Sequence, residues 1–308
     1  MTNLQIRKIP FAFDDTTPFQ WHRTNPDFAF LTNAIGVLAI AFERYIVAVM
    51  KQAKRVIDDP DIAAEADAFM QQEAIHARAH RLHVDALARR YPGLRDAVDT
   101  AIARFDALLE VHPLKFHLAY IASLEATFTP FFKMLIDNRD KLFEPGERRV
   151  ASLFMWHFVE EIEHRSSALI VFNAVVPKPW YRLWVTWKVR KHVYGIFFEI
   201  ARGFETAVPA ADRGHALDPA PAAPTRWRKL LAHLGLLRPR ARTPVDHAFR
   251  DIPKWDVVVS SLRILLSQIP GHKPADEPLP EFASTWFAAY DRGEDMTRFV
   301  GTPRATVT

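Results

Sequence analysis

An all-α fold, a four-helix bundle with additional C-terminal helices, is predicted by three observations. No stretch in the first 176 residues alternates with the period of two that a half-buried strand needs. Helix start signals recur at Asn25-Pro26, Asp59-Pro60 and Glu144-Pro145, where a capping side chain precedes a proline suited to the first turn. Glycine is scarce, 10 residues against 22 prolines, which argues against turn-rich β architecture and glycine-rich phosphate loops.

Residues 1–24 read as an irregular N-terminal arm, interrupted by Pro10, Asp14-Asp15 and Pro18. A first helix is expected from Pro26 to about Ile57, and a second from Pro60 to about Tyr91, where Pro92-Gly93 stops it. The third region, Leu94–Leu142, is helical but broken near Pro113. A fourth helix should run from Pro145 to about Val176, ahead of Pro177 and Pro179. Beyond the bundle comes an aromatic and basic helix, Trp180–Phe204, which closes a unit spanning residues 25–206. A Pro/Ala-rich loop covers 207–226, and the remainder, 227–308, is expected to pack on the bundle as short helices near 227–236, 254–268 and 281–292.

Composition limits the chemistry. With 49% hydrophobic and 25% charged residues the chain can bury a full core. It contains no cysteine, so thiolate nucleophiles, zinc ribbons and iron–sulfur clusters are excluded, and any metal site must use His, Asp and Glu. A net charge of +4, without a nucleotide-binding or nucleic-acid-reading motif, gives no reason to expect a nucleic-acid partner. The N-terminus lacks the pattern of a signal peptide. The uncharged run Phe28–Phe42 is 15 residues, shorter than the roughly 20 a bilayer crossing requires, and reads as a buried helix. The expected location is the cytoplasm, with one reservation: 179–204 mixes Trp, Tyr, Lys and Arg and suits a membrane interface, the bundle surface or a second subunit.

The residues that carry chemistry lie on the four long helices in the order Glu43, Glu73-Ala-Ile-His76, Glu125, Glu161-Ile-Glu-His164. Residues three apart on a helix share a face, so each Glu-x-x-His pair can point a carboxylate and an imidazole into one cavity. Two such pairs with two further carboxylates form the inward-facing ligand set of a dimetal site in a bundle. Depth agrees with this: Glu43 and Glu73 each lie 14 residues from the first turn, about 20 Å along the axis at ~1.5 Å per residue. Glu125 lies about 14 residues before the end of its helix and Glu161 lies 16 after Pro145. Each antiparallel hairpin therefore brings its ligands to one level. The bland alternative for Glu43 and Glu125 is a buried Glu–Arg pair, with Arg44 as a partner for Glu43. His157, one turn before Glu161, is a further candidate ligand; His80 is a supporting or a surface residue. Glu160 and Glu163 are expected to face solvent or pair with Arg165, and His112 and His117 to be structural.

These residues resemble the ferritin-like di-iron carboxylate proteins. The segments Trp21-His-Arg-Thr-Asn-Pro-Asp, Ala41-Phe-Glu-Arg-Tyr-Ile, Gln72-Glu-Ala-Ile-His76, Glu160-Glu-Ile-Glu-His164 and Phe249-Arg-Asp-Ile-Pro-Lys-Trp-Asp256 are more closely similar to a bacterial family labelled predicted metal-dependent hydrolases. That family usually has Gly where this chain has Phe42. The helix bearing His157, Glu161 and His164 also resembles di-iron arylamine N-oxygenases, which implies Glu43, Glu73, His76, Glu125, His157, Glu161 and His164 as metal ligands. The leading expectation is a di-iron oxidase or oxygenase using two Fe ions (Mn or mixed Fe/Mn as variants), O2 and an electron donor on a small apolar or aromatic substrate. The alternative is a dinuclear metal-dependent hydrolase; a storage protein fits poorly with the long C-terminal extension.

Overall fold

A computed structural model describes residues 4–214, 248–277 and 279–301. The fold is all-α, and the only extended pairing among the described residues is a single bridge between His22 and Gly146. The first helix, α1, is Pro26–Ala53, capped by Asn25, whose side chain accepts from the Phe28 backbone N–H. It is followed by α2 (Pro60–Arg90), α3 (Leu94–Val111), α4 (Leu114–Asp137), the single turn α5 (Arg139–Leu142) and α6 (Arg148–Glu163). Helix α1 packs on α2 and α4, and α6 packs on α4 and α2, which closes a ring of four helices. By length and composition α1 alone, among the described residues, meets the requirement for a membrane span, yet 83% of its most apolar window is buried inside the protein. It is the central core helix.

The fourth predicted helix is not continuous. Helix α6 stops at Glu163 and α7 (Ser167–Val175) starts after three intervening residues. Arg165 turns back to donate to the Ile162 carbonyl, and Ser167 Oγ donates to the buried Glu65 carboxylate at 2.6 Å. The first of these bonds satisfies a backbone carbonyl that a continuing helix would have paired internally. The break places His164 at the C-terminal end of α6, its N–H still bonded to the Glu160 carbonyl.

Helix α8 runs Trp180–Ala207 and α9, Ala210–Arg213, follows inside the stretch read as a loop. The expected helix at 227–236 lies outside the described residues. Next come α10 (Lys254–Leu266) and α11 (Glu281–Asp291), both packed on α4. Among its described residues the N-terminal arm lacks helix but is not peripheral: Phe11, Phe19 and Trp21 are buried in the core. Phe42 fills the seam between α1, α3 and α4, its ring 5.7 Å from Phe105 and 6.3 Å from Tyr120.

Candidate metal centre

The seven predicted ligand residues converge, all buried, from α1, α2, α4 and the end of α6. They form two groups with donor atoms within 4.8 Å of one another: Glu43, His76, His157 and Glu161, and Glu73, Glu125, Glu161 and His164. Glu161 belongs to both. Its Oε1 lies 2.9 Å from His157 Nε2 and 3.6 Å from His76 Nδ1, while its Oε2 lies 3.2 Å from His164 Nε2. Glu43 Oε1 is 3.1 Å from His157 Nε2; Glu73 Oε1 and Glu125 Oε2 are 3.2 and 3.7 Å from His164 Nε2.

Each imidazole is held from behind by the nitrogen that faces away from the shared Glu161. His76 Nε2 donates to Glu160 Oε2 at 2.8 Å. His164 Nδ1 donates to Gln72 Oε1 at 3.1 Å, and Gln72 is itself fixed through Nε2 by the Gln5 carbonyl and Glu163. His157 Nδ1 meets His80 Nε2 at 2.8 Å. This is the supporting arrangement that sets the tautomer and ring direction of metal-bound histidines. It leaves His76 Nδ1, His157 Nε2 and His164 Nε2 toward the centre.

Electrostatics reflect four acids sealed among imidazoles. Burial, reinforced by the Glu161 charge, raises the Glu125 carboxyl to about 8 and pushes Glu73 well above its ordinary value. Burial opposes charge on His157, but Glu43 and Glu161 outweigh it and raise the imidazole to about 10; His164 is raised in the same way by Glu161 and Glu73. His80, deeply buried and close to three other histidines, is lowered well below its usual value.

A metal pair fits these residues. Glu43 Oε2, both Glu73 oxygens, Glu125 Oε1 and His76 Nδ1 are buried without a hydrogen-bond partner. Such atoms are costly in an apolar interior unless something else ligates them. The donor set is carboxylate oxygen with imidazole nitrogen, which suits iron, manganese or zinc.

Several supporting residues depart from expectation. Glu160 is fully buried rather than solvent-facing, and Arg7 pairs with both Glu160 (3.1 Å) and Glu163 (2.8 Å). Arg165 goes instead to the Pro274 and Ala275 carbonyls. Arg44 pairs with Asp106 on the surface, so it is not a partner for Glu43. His83, not singled out from the sequence, is buried between Phe13 and Phe154 with both nitrogens unpartnered. The spacing held a signal for these: His76, His80 and His83 form one stripe of α2, and His157, Glu160 and His164 one stripe of α6. His117 is structural, bonding Tyr45 and the His112 carbonyl.

The family model described as "predicted metal-dependent hydrolase" matches residues 5–245. The chain belongs to this family of predicted metal-dependent hydrolases. The match spans all seven converging residues together with Arg7, Gln72, His80 and Glu160, and ends before the Phe249–Asp256 segment. No curated protein and no solved structure matches the chain. Membership therefore carries a metal-dependent enzyme class, without identifying the metal or the substrate.

Proposed function

We propose that the chain is a dinuclear metal-dependent hydrolase. One cation would be held by Glu43, His76 and His157, the other by Glu73, Glu125 and His164, with Glu161 shared. The observation that carries this reading is the division of Glu161, one oxygen toward each group. Ionised, Glu43, Glu73, Glu125 and Glu161 bring four negative charges into a dry interior, which two divalent cations balance. Bound there, such a pair supplies Lewis acidity toward water and an ester, amide or phosphoryl group, and an iron pair can also supply electrons to O2.

The chain's own residues do the rest. Glu160, Gln72 and His80 orient the imidazoles. Phe132 and Phe158, stacked at 4.0 Å and buried beside His157, keep water from that side. Family membership supports hydrolysis as the reaction. Oxidation of an apolar or aromatic substrate is the second reading, favoured by a donor set of hard oxygens and imidazoles.

The test uses protein purified from iron-supplemented cells. Metal content is measured, chromogenic esters, amides and phosphoesters are screened anaerobically, and the reduced protein is exposed to O2 under a spectrophotometer. Anaerobic turnover with about two metals per chain supports the hydrolase. O2 consumption with a transient visible band and no anaerobic turnover moves the assignment to the oxidase. Failure to take up any metal overturns both.

A further inference from the structure

Among the described residues sixteen large apolar side chains are exposed, and eleven of them lie on only two helices, α8 and α10. Helix α8 turns an aliphatic stripe, including Val185, Val189, Ile196 and Ile200, toward α3 and α4. Its outer stripe is aromatic: Trp180, Trp184, Trp187, Tyr194 and Phe198 recur at three- and four-residue spacing, with Lys191 in the remaining position. Trp187 is 74% exposed and Tyr194 73%. A helix facing only water carries charged side chains there. Helix α10 repeats the pattern with Trp255, Val258, Leu262 and Leu265.

The two helices are joined. Arg182 Nη2 on α8 donates to the Ser267 carbonyl just past α10 at 3.0 Å. Gln268 Nε2 donates to the Ser123 carbonyl of α4 at 3.1 Å, and Gln268 Oε1 accepts from Thr186 of α8. Both outer stripes thus end at one junction over α4.

Charge on this face has one sign. From Lys178 to Arg202 the sequence has six cations, of which Arg182 is buried at the junction, and one acid, Glu199, which Arg104 engages at 2.9 Å. Lys188 Nζ lies 4.6 Å from the Trp184 ring centroid, and Lys188 and Lys191 are exposed. We propose that α8 and α10 form a docking surface for an anionic lipid bilayer, with the indoles at the headgroup boundary and the lysines on lipid phosphates. A two-fold interface between copies would set two surfaces of the same positive sign against each other. The chain's own 219–245 stretch has six cations and no acid, so it offers no complementary charge either.

The test is flotation of the full chain with phosphatidylcholine vesicles, with and without about one-third phosphatidylglycerol, at low and at roughly 0.5 M salt. The protein is expected to float with the anionic vesicles, and less at high salt. Trp184→Ser/Trp187→Ser and Lys188→Glu/Lys191→Glu should each weaken partitioning about tenfold or more, with circular dichroism and metal content unchanged. Wild-type protein that stays at the bottom of the gradient overturns the proposal. So do variants that float as well as wild type, and so does a wild-type dimer that the Trp variant converts to monomer without any flotation. Metal content is read separately, so failure here leaves the metal centre untouched.

Discussion

Arg7 and Glu160 are 153 positions apart, yet their Nη1 and Oε1 atoms meet at 3.1 Å in the interior, and the other oxygen of Glu160 holds His76. The guanidinium also lies 4.5 Å from the Phe287 ring centroid and 5.6 Å from that of Tyr290 on α11. A line of contacts therefore runs from the C-terminal helices through the N-terminal arm to a candidate ligand. Removing one partner of a buried ion pair costs about 3–5 kcal/mol, and loss of such supporting partners weakens metal affinity about 10–100-fold. Arg7→Met is expected to show both effects, read by urea unfolding and chelator competition. Unchanged metal affinity in a folded Arg7→Met protein would remove Arg7 from the site.

Glu161 should be the least replaceable ligand. Glu161→Ala is expected to abolish loading at both positions, whereas Glu43→Ala and Glu125→Ala each remove about one metal per chain, since each belongs to one group only. Metal analysis of the three purified variants decides it. Equal losses would show that the two groups do not share a ligand.

Chelator-stripped protein should take up metal better as pH rises. Glu125, near 8, and His157, near 10, keep their protons at neutral pH, and both must release them to ligate. Both pKa values are raised relative to the unfolded chain, so the stability they contribute is present at low pH. It is lost as pH climbs through the folded values. Melting of stripped protein is expected to fall from pH 6.5 toward about 10, with a flatter profile for loaded protein. A stripped protein that gains stability over that window contradicts this account.

His83 has no partner for either nitrogen, and burial lowers it to about 3, so it is neutral. Replacing a buried unsatisfied polar ring with an apolar side chain removes its desolvation cost, roughly 1 kcal/mol after repacking. His83→Leu is expected to melt higher than wild type with unchanged metal content. A lower melting temperature would show that the ring is bonded in solution.

Gly36 allows α1 to approach the centre closely. A Cβ there would sit 3.2 Å from His80 Nδ1 and 3.6 Å from Phe154, and His80 is anchored to His157 and has little room to yield. Gly36→Val should cost about 1–3 kcal/mol by overpacking and also weaken metal binding through His157. A neutral effect on both would place slack at this contact.

Much of the fold can be read from the chain alone, because caps, prolines and period are local. Asn25, Asp59 and Pro113 mark helix ends within a few residues of where they lie. The break at Arg165 was not legible, since it depends on Glu65 and on the Pro274 carbonyl, both remote in sequence. The seven converging residues were legible for a related reason: helical spacing and equal depth in two hairpins are one-dimensional quantities.

What surrounds them was not. Glu160 looked like one more acid on a charged turn, and only the N-terminal arm, which sets Arg7 between α6 and Phe287 of α11, made it a buried ion-pair partner. Helix order, and the type and level of the candidate ligands, can be read from the chain alone because they follow from backbone periodicity. Which nitrogen of each histidine faces inward, and the division of the Glu161 oxygens between two groups, come from packing between elements. Rotamer and tautomer are set by neighbours brought together from different elements.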